Sequence, residues 1–265
     1  MLIEARNISL DVPDMGHQVL VGQRRKLRIL SDVSVAIARG ETVGLVGESG
    51  SGKTSLGRCL LRLYEPSEGS IQFDGEDITH APPAALKPLR RRMQMIFQDP
   101  QSSLNPRHTI GSILATALRL HGQDASARVI TALLDRVGLP ASAMGRYPHQ
   151  LSGGQRQRVG IARAIALKPD FVVADEIVSG LDVSTQAQVL DLLKGLRAEM
   201  GMALAFISHD LSVVRHLCER VVIMRAGRIV EEGRTADVFS APATEFTRTL
   251  IDRIPLPEVR PGWLD

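Results

Sequence analysis

The stretch Gly47-Glu48-Ser49-Gly50-Ser51-Gly52-Lys53-Thr54 carries the most specific chemistry in the chain. It follows the pattern GxxxxGK[ST], with a β-branched run before it and a helical pattern after it, and that combination builds a phosphate cradle. Glycines let the backbone curl so that several N–H groups point inward at anionic oxygens. The helix that follows adds the positive end of its dipole. Lys53 is placed to reach β- and γ-phosphates and Thr54 to hold Mg²⁺, with Ser55 in the same first turn. A second candidate is Asp175-Glu176, at the end of the apolar run Phe171-Val172-Val173-Ala174. Alternation along a strand sends the two carboxylates in different directions, so that Asp175 can face Mg²⁺ while Glu176 faces an attacking water. An acid pair ending a strand is equally a capped strand end. A third candidate is Leu151-Ser152-Gly153-Gly154-Gln155, at the start of a helical pattern over 155–167. Ser152 and the two glycines would form a second anion site at a helix N-terminus, although the same residues also serve as a plain cap and turn. One triphosphate seldom needs two such sites from one chain. The economical solution is that each closes on a nucleotide held by another chain.

These groups need a scaffold that delivers them to loop ends. Ile3–Val12 reads as a strand, followed by a polar, Gly-containing segment from Pro13 to about Lys26. Val33–Ile37 and Thr42–Val46 read as strands around the turn Ala38-Arg39-Gly40. The spacing predicts a helix over Lys53–Leu63 and a strand over Ser70–Phe73, before the turn Asp74-Gly75. After Gln98 the texture changes: Pro100, Pro106 and Gly111 punctuate a loop, two helical patterns follow at Ile110–Leu120 and Ser126–Val137, and Pro148 closes the section. Ser184–Met200 is a helical pattern with Val189, Leu193 and Leu196 on one face and Gly201 as its stop. Ala203–Ile207 is a buried strand ending at Ser208-His209, and Val221–Met224 pairs with Arg228–Glu231 around Ala226-Gly227. The tail beyond Pro255 reads as irregular.

The 265 residues, 44% hydrophobic and 23% charged, suit a soluble globular chain with a substantial core. Aromatics make up only 3%, so aliphatic side chains must build that core. The net charge of +3 is weakly basic. The runs Arg24-Arg25-Lys26 and Arg90-Arg91-Arg92 lack interleaved aromatics, which favours solvated or partner-facing surface over nucleic-acid binding. Cys59 and Cys218 are far apart in sequence and read as buried small hydrophobes. Glu4 and Arg6 interrupt any signal peptide, and no apolar run reaches the ~20 residues that span a bilayer. The expectation is a soluble, cytoplasmic chain whose membrane attachment comes through a partner.

In order along the chain come the phosphate loop at 47–54, Gln98, Leu151–Gln155, Phe171–Glu176, Ser179-Gly180-Leu181-Asp182 and His209. That series resembles an ATP-binding cassette domain over about residues 1–250. The resemblance implies an α/β fold: a P-loop NTPase core of mixed sheet with flanking helices, an N-terminal antiparallel β subdomain and an inserted helical lobe. It divides the chain into a nucleotide-binding core at 1–98 and 169–250, a lobe at 99–168 and a tail at 251–265. It implies ATP and Mg²⁺ as cofactors, with Thr54, Gln98 and Asp175 around the metal. Gln98 takes the place of the Q-loop residue that senses the γ-phosphate side and touches the transmembrane partner. His209 resembles the switch histidine, and Glu176, His209, Gln98 and Lys53 form the catalytic set. Ser152, Gly153, Gly154, Gln155 and Asp182 would contact nucleotide across a head-to-tail dimer.

Phe97–Pro106, Leu181–Gln188 and Ile254-Pro255-Leu256-Pro257 are similar to the corresponding segments of oligopeptide, dipeptide and nickel importers. This implies an ATP-hydrolysing motor on the cytoplasmic face of the inner membrane. Its partners would be transmembrane permease subunits, a second cassette subunit (identical or a paralogue) and, indirectly, an extracytoplasmic solute-binding protein, with no nucleic acid. Oligopeptides or dipeptides are the expected solutes, and nickel or another small solute the alternative. Three departures stand out. Ile177 occupies the position of a usual proline. No Tyr, Phe or Trp precedes Tyr64, so the adenine-stacking aromatic expected near Val12 is missing. The C-terminal cysteine cluster of some members is lacking too, so no iron–sulfur centre is expected. DNA-directed cassettes carry coiled-coil or zinc-bearing insertions, ribosome-directed ones carry two cassettes, and P-loop kinases need neither Leu151–Gln155 nor the His209 series. All three readings fit this chain less well.

Overall fold

The computed structural model describes residues 1–13 and 26–253. The elements run β1 (Ile3–Pro13), β2 (Lys26–Ile37), β3 (Thr42–Val46), α1 (Lys53–Leu60), β4 (Glu68–Phe73), β5 (Glu76–Asp77), α2 (Pro83–Arg92) and β6 (Met93–Ile96). A helical stretch follows: α3 (Pro100–Ser103), α4 (Ile110–Leu120), α5 (Ala127–Arg136) and α6 (Gly153–Ile165). Then come β7 (Phe171–Asp175), α7 (Val183–Met200), β8 (Ala203–Ser208), α8 (Leu211–Leu217), β9 (Arg220–Arg225), β10 (Arg228–Arg234), α9 (Thr235–Ser240) and α10 (Glu245–Asp252). Local chemistry sets several of these boundaries. The Thr109 hydroxyl accepts from Ser112 N at the start of α4, the Asp182 carboxylate accepts from Thr185 N at the start of α7, and Gly201, with φ 63, ends α7.

Strands that lack a polar face must be covered on both sides. In β7, Phe171 and Val173 face one core while Val172 and Ala174 face another, and β8 repeats this with Ala203, Ala205 and Ile207 against Leu204 and Phe206. These strands form the centre of a six-stranded sheet in the order β10-β9-β3-β8-β7-β6, parallel except for β10. One face is covered by α1 and by a four-stranded antiparallel sheet, β2-β1-β4-β5. The other is covered by α6, α7 and α8, and the same apolar cluster runs on without a break into α4 and α5. The helical stretch between β6 and β7 therefore shares its core with the sheet.

Several elements differ from the sequence pattern. β2 begins at Lys26 rather than Val33, because Arg28 bonds across the sheet to Asp11 (2.8 Å) and Glu68 (3.0 Å). α1 ends at Leu60 rather than Leu63. Arg62 turns left-handed (φ 51), is buried, and donates to the carbonyls of Ile78 (2.7 Å) and Tyr64 (3.2 Å). α2 and β6 lie in a stretch with no clear period, which Pro88 interrupts, yet Leu86, Leu89, Met93 and Met95 are buried there. Of the run Arg90-Arg91-Arg92, Arg92 is not free surface charge: it pairs with Asp74 and Asp170 and lies over the Phe73 ring at 4.8 Å. Arg24, Arg25 and the segment Ile254–Pro257 fall outside the described residues.

Candidate functional site

Because β3, β8, β7 and β6 are parallel neighbours, the loops leaving their C-terminal ends open at one edge of the sheet. Those loops carry the phosphate loop after β3, His209 after β8, Glu176 after β7 and Gln98 two residues after β6. Topology alone thus gathers four segments spread over more than 150 positions of sequence.

The phosphate loop is clamped from behind. Gly227 N donates to Ser51 O (3.0 Å), and Ser31 N donates to Gly227 O (2.9 Å). Lys53 is buried, and its Nζ donates to the carbonyls of Gly47 (2.8 Å) and Glu48 (2.9 Å), so the ammonium is held within the curl of the loop. Burial lowers its pKa, opposed by the charges of Glu176 and Asp175. Ser51 Oγ is buried with no hydrogen-bond partner among the described residues, which leaves a donor inside the curl. Glu48, Ser49 and Gly50 are exposed at the tip, Ser55 is half-buried, and Gly52 caps α1. Gly47 has φ 155, and a Cβ there would lie 2.2 Å from Met224 O and 2.7 Å from Ser51 Oγ. Gly47→Ala is therefore expected to lower stability by more than about 2 kcal/mol, read as a fall in the urea midpoint. An unchanged midpoint would show that the loop relaxes freely.

Asp175 closes β7 and is buried, and it accepts from Thr54 Oγ1 at 2.9 Å. Burial raises its pKa, the bond from Thr54 opposes this, and the neighbouring Glu176 charge adds to it. Glu176 diverges from Asp175 by more than strand alternation. Its backbone turns left-handed (φ 44) while its N–H donates to Ile207 O at 3.0 Å. A non-glycine residue held there costs on the order of 1 kcal/mol and marks a constrained position. Its carboxylate accepts from Gln98 Nε2 at 3.0 Å and lies 3.5 Å from His209 Nδ1. His209 itself is exposed. Ile177 is 1% exposed and packed in the core, so its side chain anchors the loop that carries Glu176.

The Leu151–Gln155 segment is a capping box. Ser152 Oγ accepts from Gln155 N (3.3 Å), and Gln155 Oε1 accepts from Ser152 N (3.0 Å). Gly154 is required by close packing, since a Cβ there would lie 2.4 Å from Thr185 Cγ2. At Gly153 the nearest atom to an added Cβ is Leu181 Cδ2 at 3.6 Å, ordinary contact. Asp182 is engaged locally: Ser184 Oγ (2.6 Å), Thr185 N (2.9 Å) and Thr185 Oγ1 (2.7 Å) all donate to it and hold its carboxyl well below the usual range. Gly153 shares a cavity with Gln98, Ser179 and Leu181, and no phosphate-loop residue lines it. The fold thus brings Thr54 into contact with Asp175, and Gln98 and His209 to Glu176, with Lys53 close enough to feel the charges of Glu176 and Asp175, and places Ser152, Gly153 and Asp182 at a neighbouring patch. Sequence reasoning missed the Gln98–Glu176 bond, which has no local signal. Near the end of β1, Val12 pairs with Leu27, which is 54% exposed, so the exposed side chains there are aliphatic.

Comparison with known proteins gives a consistent picture. The sequence pattern of the family described as ABC transporter matches residues 30–179. A Brucella ovis protein whose name assigns it to peptide import as an ATP-binding protein is 52% identical over 235 residues, covering 88% of this chain and 74% of that one. A Bacillus subtilis protein, YkfD, named for oligopeptide transport as an ATP-binding protein, is 43% identical over 253 residues, covering 94% and 77%. Among solved structures, the dimeric ATP-binding cassette MJ0796, in a post-hydrolysis state with ADP and Pi, aligns with TM-score 0.77 at 28% identity over 88% of this chain and 98% of that one.

Proposed function

Because this chain belongs to the ABC transporter family and is an ATP-hydrolysing cassette, we propose that it drives import of oligopeptides or dipeptides, working on the cytoplasmic face of a membrane. The observation that carries the catalytic part is the convergence of Lys53, Thr54–Asp175, Glu176, Gln98 and His209 at one sheet edge. The solute class rests on the names of the relatives.

The reaction is phosphoryl transfer to water, in which positioning and electrostatics supply most of the catalysis. Loop N–H groups and Lys53 hold the β- and γ-phosphates, with the ammonium exchanging the carbonyls of Gly47 and Glu48 for phosphate oxygens. Glu176 takes the proton from the attacking water. Gln98 fixes one carboxylate oxygen of Glu176, and His209 approaches the same carboxylate and contacts the γ-phosphate side. Thr54 Oγ1, Asp175 Oδ1 and the Gln98 amide oxygen are the hard-oxygen donors that would hold Mg²⁺. When bound there, Mg²⁺ would offset charge on the phosphates. Ser152, Gly153, Gly154, Gln155 and Asp182 serve the nucleotide of a second cassette, identical or a paralogue.

No helix among the described residues is long and apolar enough to cross a membrane. The solute path then lies in permease subunits, and an extracytoplasmic binding protein captures the solute. Co-purification from membranes with identification of the attached chains, followed by uptake of labelled peptide, tests this. Permease partners and peptide uptake are expected; a complex without permease subunits would overturn the reading. No Tyr, Phe or Trp precedes Tyr64, so the N-terminal strands offer adenine no aromatic face. GTP is therefore expected to compete with ATP within about tenfold, or ~1.4 kcal/mol. Competitive nucleotide binding checks this, and a thousandfold preference for ATP would place base recognition on another residue.

A further inference from the structure

At the opposite edge of the six-stranded sheet lies a second concentration of positive charge. Arg92 immediately precedes β6 and Asp170 immediately precedes β7, so both mark the N-terminal ends of strands whose C-terminal ends point to Gln98 and Glu176. A five-residue strand such as β7 separates the two edges by about 17 Å. A cavity opens here, lined by Lys87 and Arg91 of α2, His121 at the end of α4, Lys168 after α6, and Arg92 with Asp170. Asp170 is the only carboxylate in that lining, and it is paired with Arg92, which also holds Asp74. Lys87, Arg91 and Lys168 form no ion pair among the described residues. With four cations against one anion in the lining, the wall carries a net charge of +3 with His121 neutral.

Unpaired cations are ordinarily spread over solvated surface, where mutual repulsion is small. Here α2, α4 and the α6–β7 turn bring them to a single concavity. Lys87 and Arg91 stand at i and i+4 on one face of α2. His121 feels both: its pKa is lowered by burial, then by the charges of Arg91 and Lys87. Leu120, 69% exposed, forms an apolar lip on the cavity.

We propose that Lys87, Arg91, His121 and Lys168 form a second anion site, for the phosphate group of a phosphate ester. It is separate from the nucleotide site by the length of the central strands. A phosphate there would bridge α2, which leads into the sheet, and α4, which belongs to the helical stretch, tying the two together. The charge and the Leu120 lip suit either a soluble phosphate ester or the headgroup of an anionic phospholipid.

The test follows the His121 ring by NMR in the full chain. In one arm glycerol 3-phosphate is titrated; in the other, phosphatidylcholine vesicles with and without phosphatidylglycerol are added. The site predicts a saturable change at His121 and an upward shift of its pKa, because a bound anion favours the imidazolium. Lys87→Glu with Arg91→Glu, both exposed on α2, should weaken binding by at least about tenfold. A response to glycerol 3-phosphate identifies a soluble ligand, and a response only to phosphatidylglycerol vesicles identifies a lipid headgroup; either supports the site. No response at His121 in both arms overturns it, as does a response that persists unchanged in the charge-reversed protein.

Discussion

Glu176→Gln should reduce ATP turnover by at least about a hundredfold, the typical contribution of a positioned general base, while leaving ATP bound. The substitution keeps the shape of the side chain and removes the group that accepts a proton from water. The site around it should persist, because Glu176 is placed by its backbone: a left-handed φ of 44, an N–H bonded to Ile207 O, and Ile177 buried beside it. Lys53 and the Thr54–Asp175 pair are untouched, so nucleotide affinity should remain. Closed dimers should then accumulate with Mg-ATP, since hydrolysis no longer opens them. Turnover measured beside dimer content by light scattering checks both halves. Near-normal turnover would sink the assignment of Glu176 as the base.

Mixing two inactive variants should restore activity. Lys53→Ala removes the buried ammonium and should disable its own phosphate loop. Gly153→Asp places a carboxylate at a position with room for a side chain, where the nearest atom to a Cβ is Leu181 Cδ2 at 3.6 Å. It should therefore be better tolerated than Gly154→Asp, whose Cβ would meet Thr185 Cγ2 at 2.4 Å. If the Leu151–Gln155 segment serves a second chain, Gly153→Asp leaves ATP binding to the isolated chain intact. Its charge opposes closure on the partner's γ-phosphate by like-charge repulsion. In a mixed dimer, the Lys53 of one chain and the Leu151–Gln155 of the other form one intact site. Partial ATPase recovery is expected on mixing where the chain pairs with itself; where the natural partner is a paralogue, the two substitutions are divided between the two chains. Loss of ATP binding in isolated Gly153→Asp would show that the segment serves its own nucleotide.

The phosphate loop, the acid pair and the Leu151–Gln155 segment were legible in sequence because each is a short run whose local structure depends on neighbours along the chain. Loop curl, strand end and helix start are local events, and Gly47–Thr54, Asp175-Glu176 and Ser152–Gln155 encode them within a few residues. The same holds for long periodic elements such as α7. It fails for α2 and β6, whose stability comes from burying Leu86, Leu89, Met93 and Met95 against distant strands, and for β2, which Arg28 extends by pairing with Asp11 and Glu68.

Sequence by itself therefore determined the kinds of group present: a glycine-rich loop ending in Lys53-Thr54, an acid pair at a strand end, and a second helix-start motif. Only the tertiary structure decided which groups meet. Parallel pairing of β3, β8, β7 and β6 puts four loops on one edge, and there Gln98 Nε2 reaches Glu176 Oε2 at 3.0 Å across 78 positions of sequence. The same pairing sends Lys87, Arg91, His121 and Lys168 to the other edge. Register between distant strands follows from which side chains fill two cores at once, a property of the whole packed sheet that no local run of residues encodes.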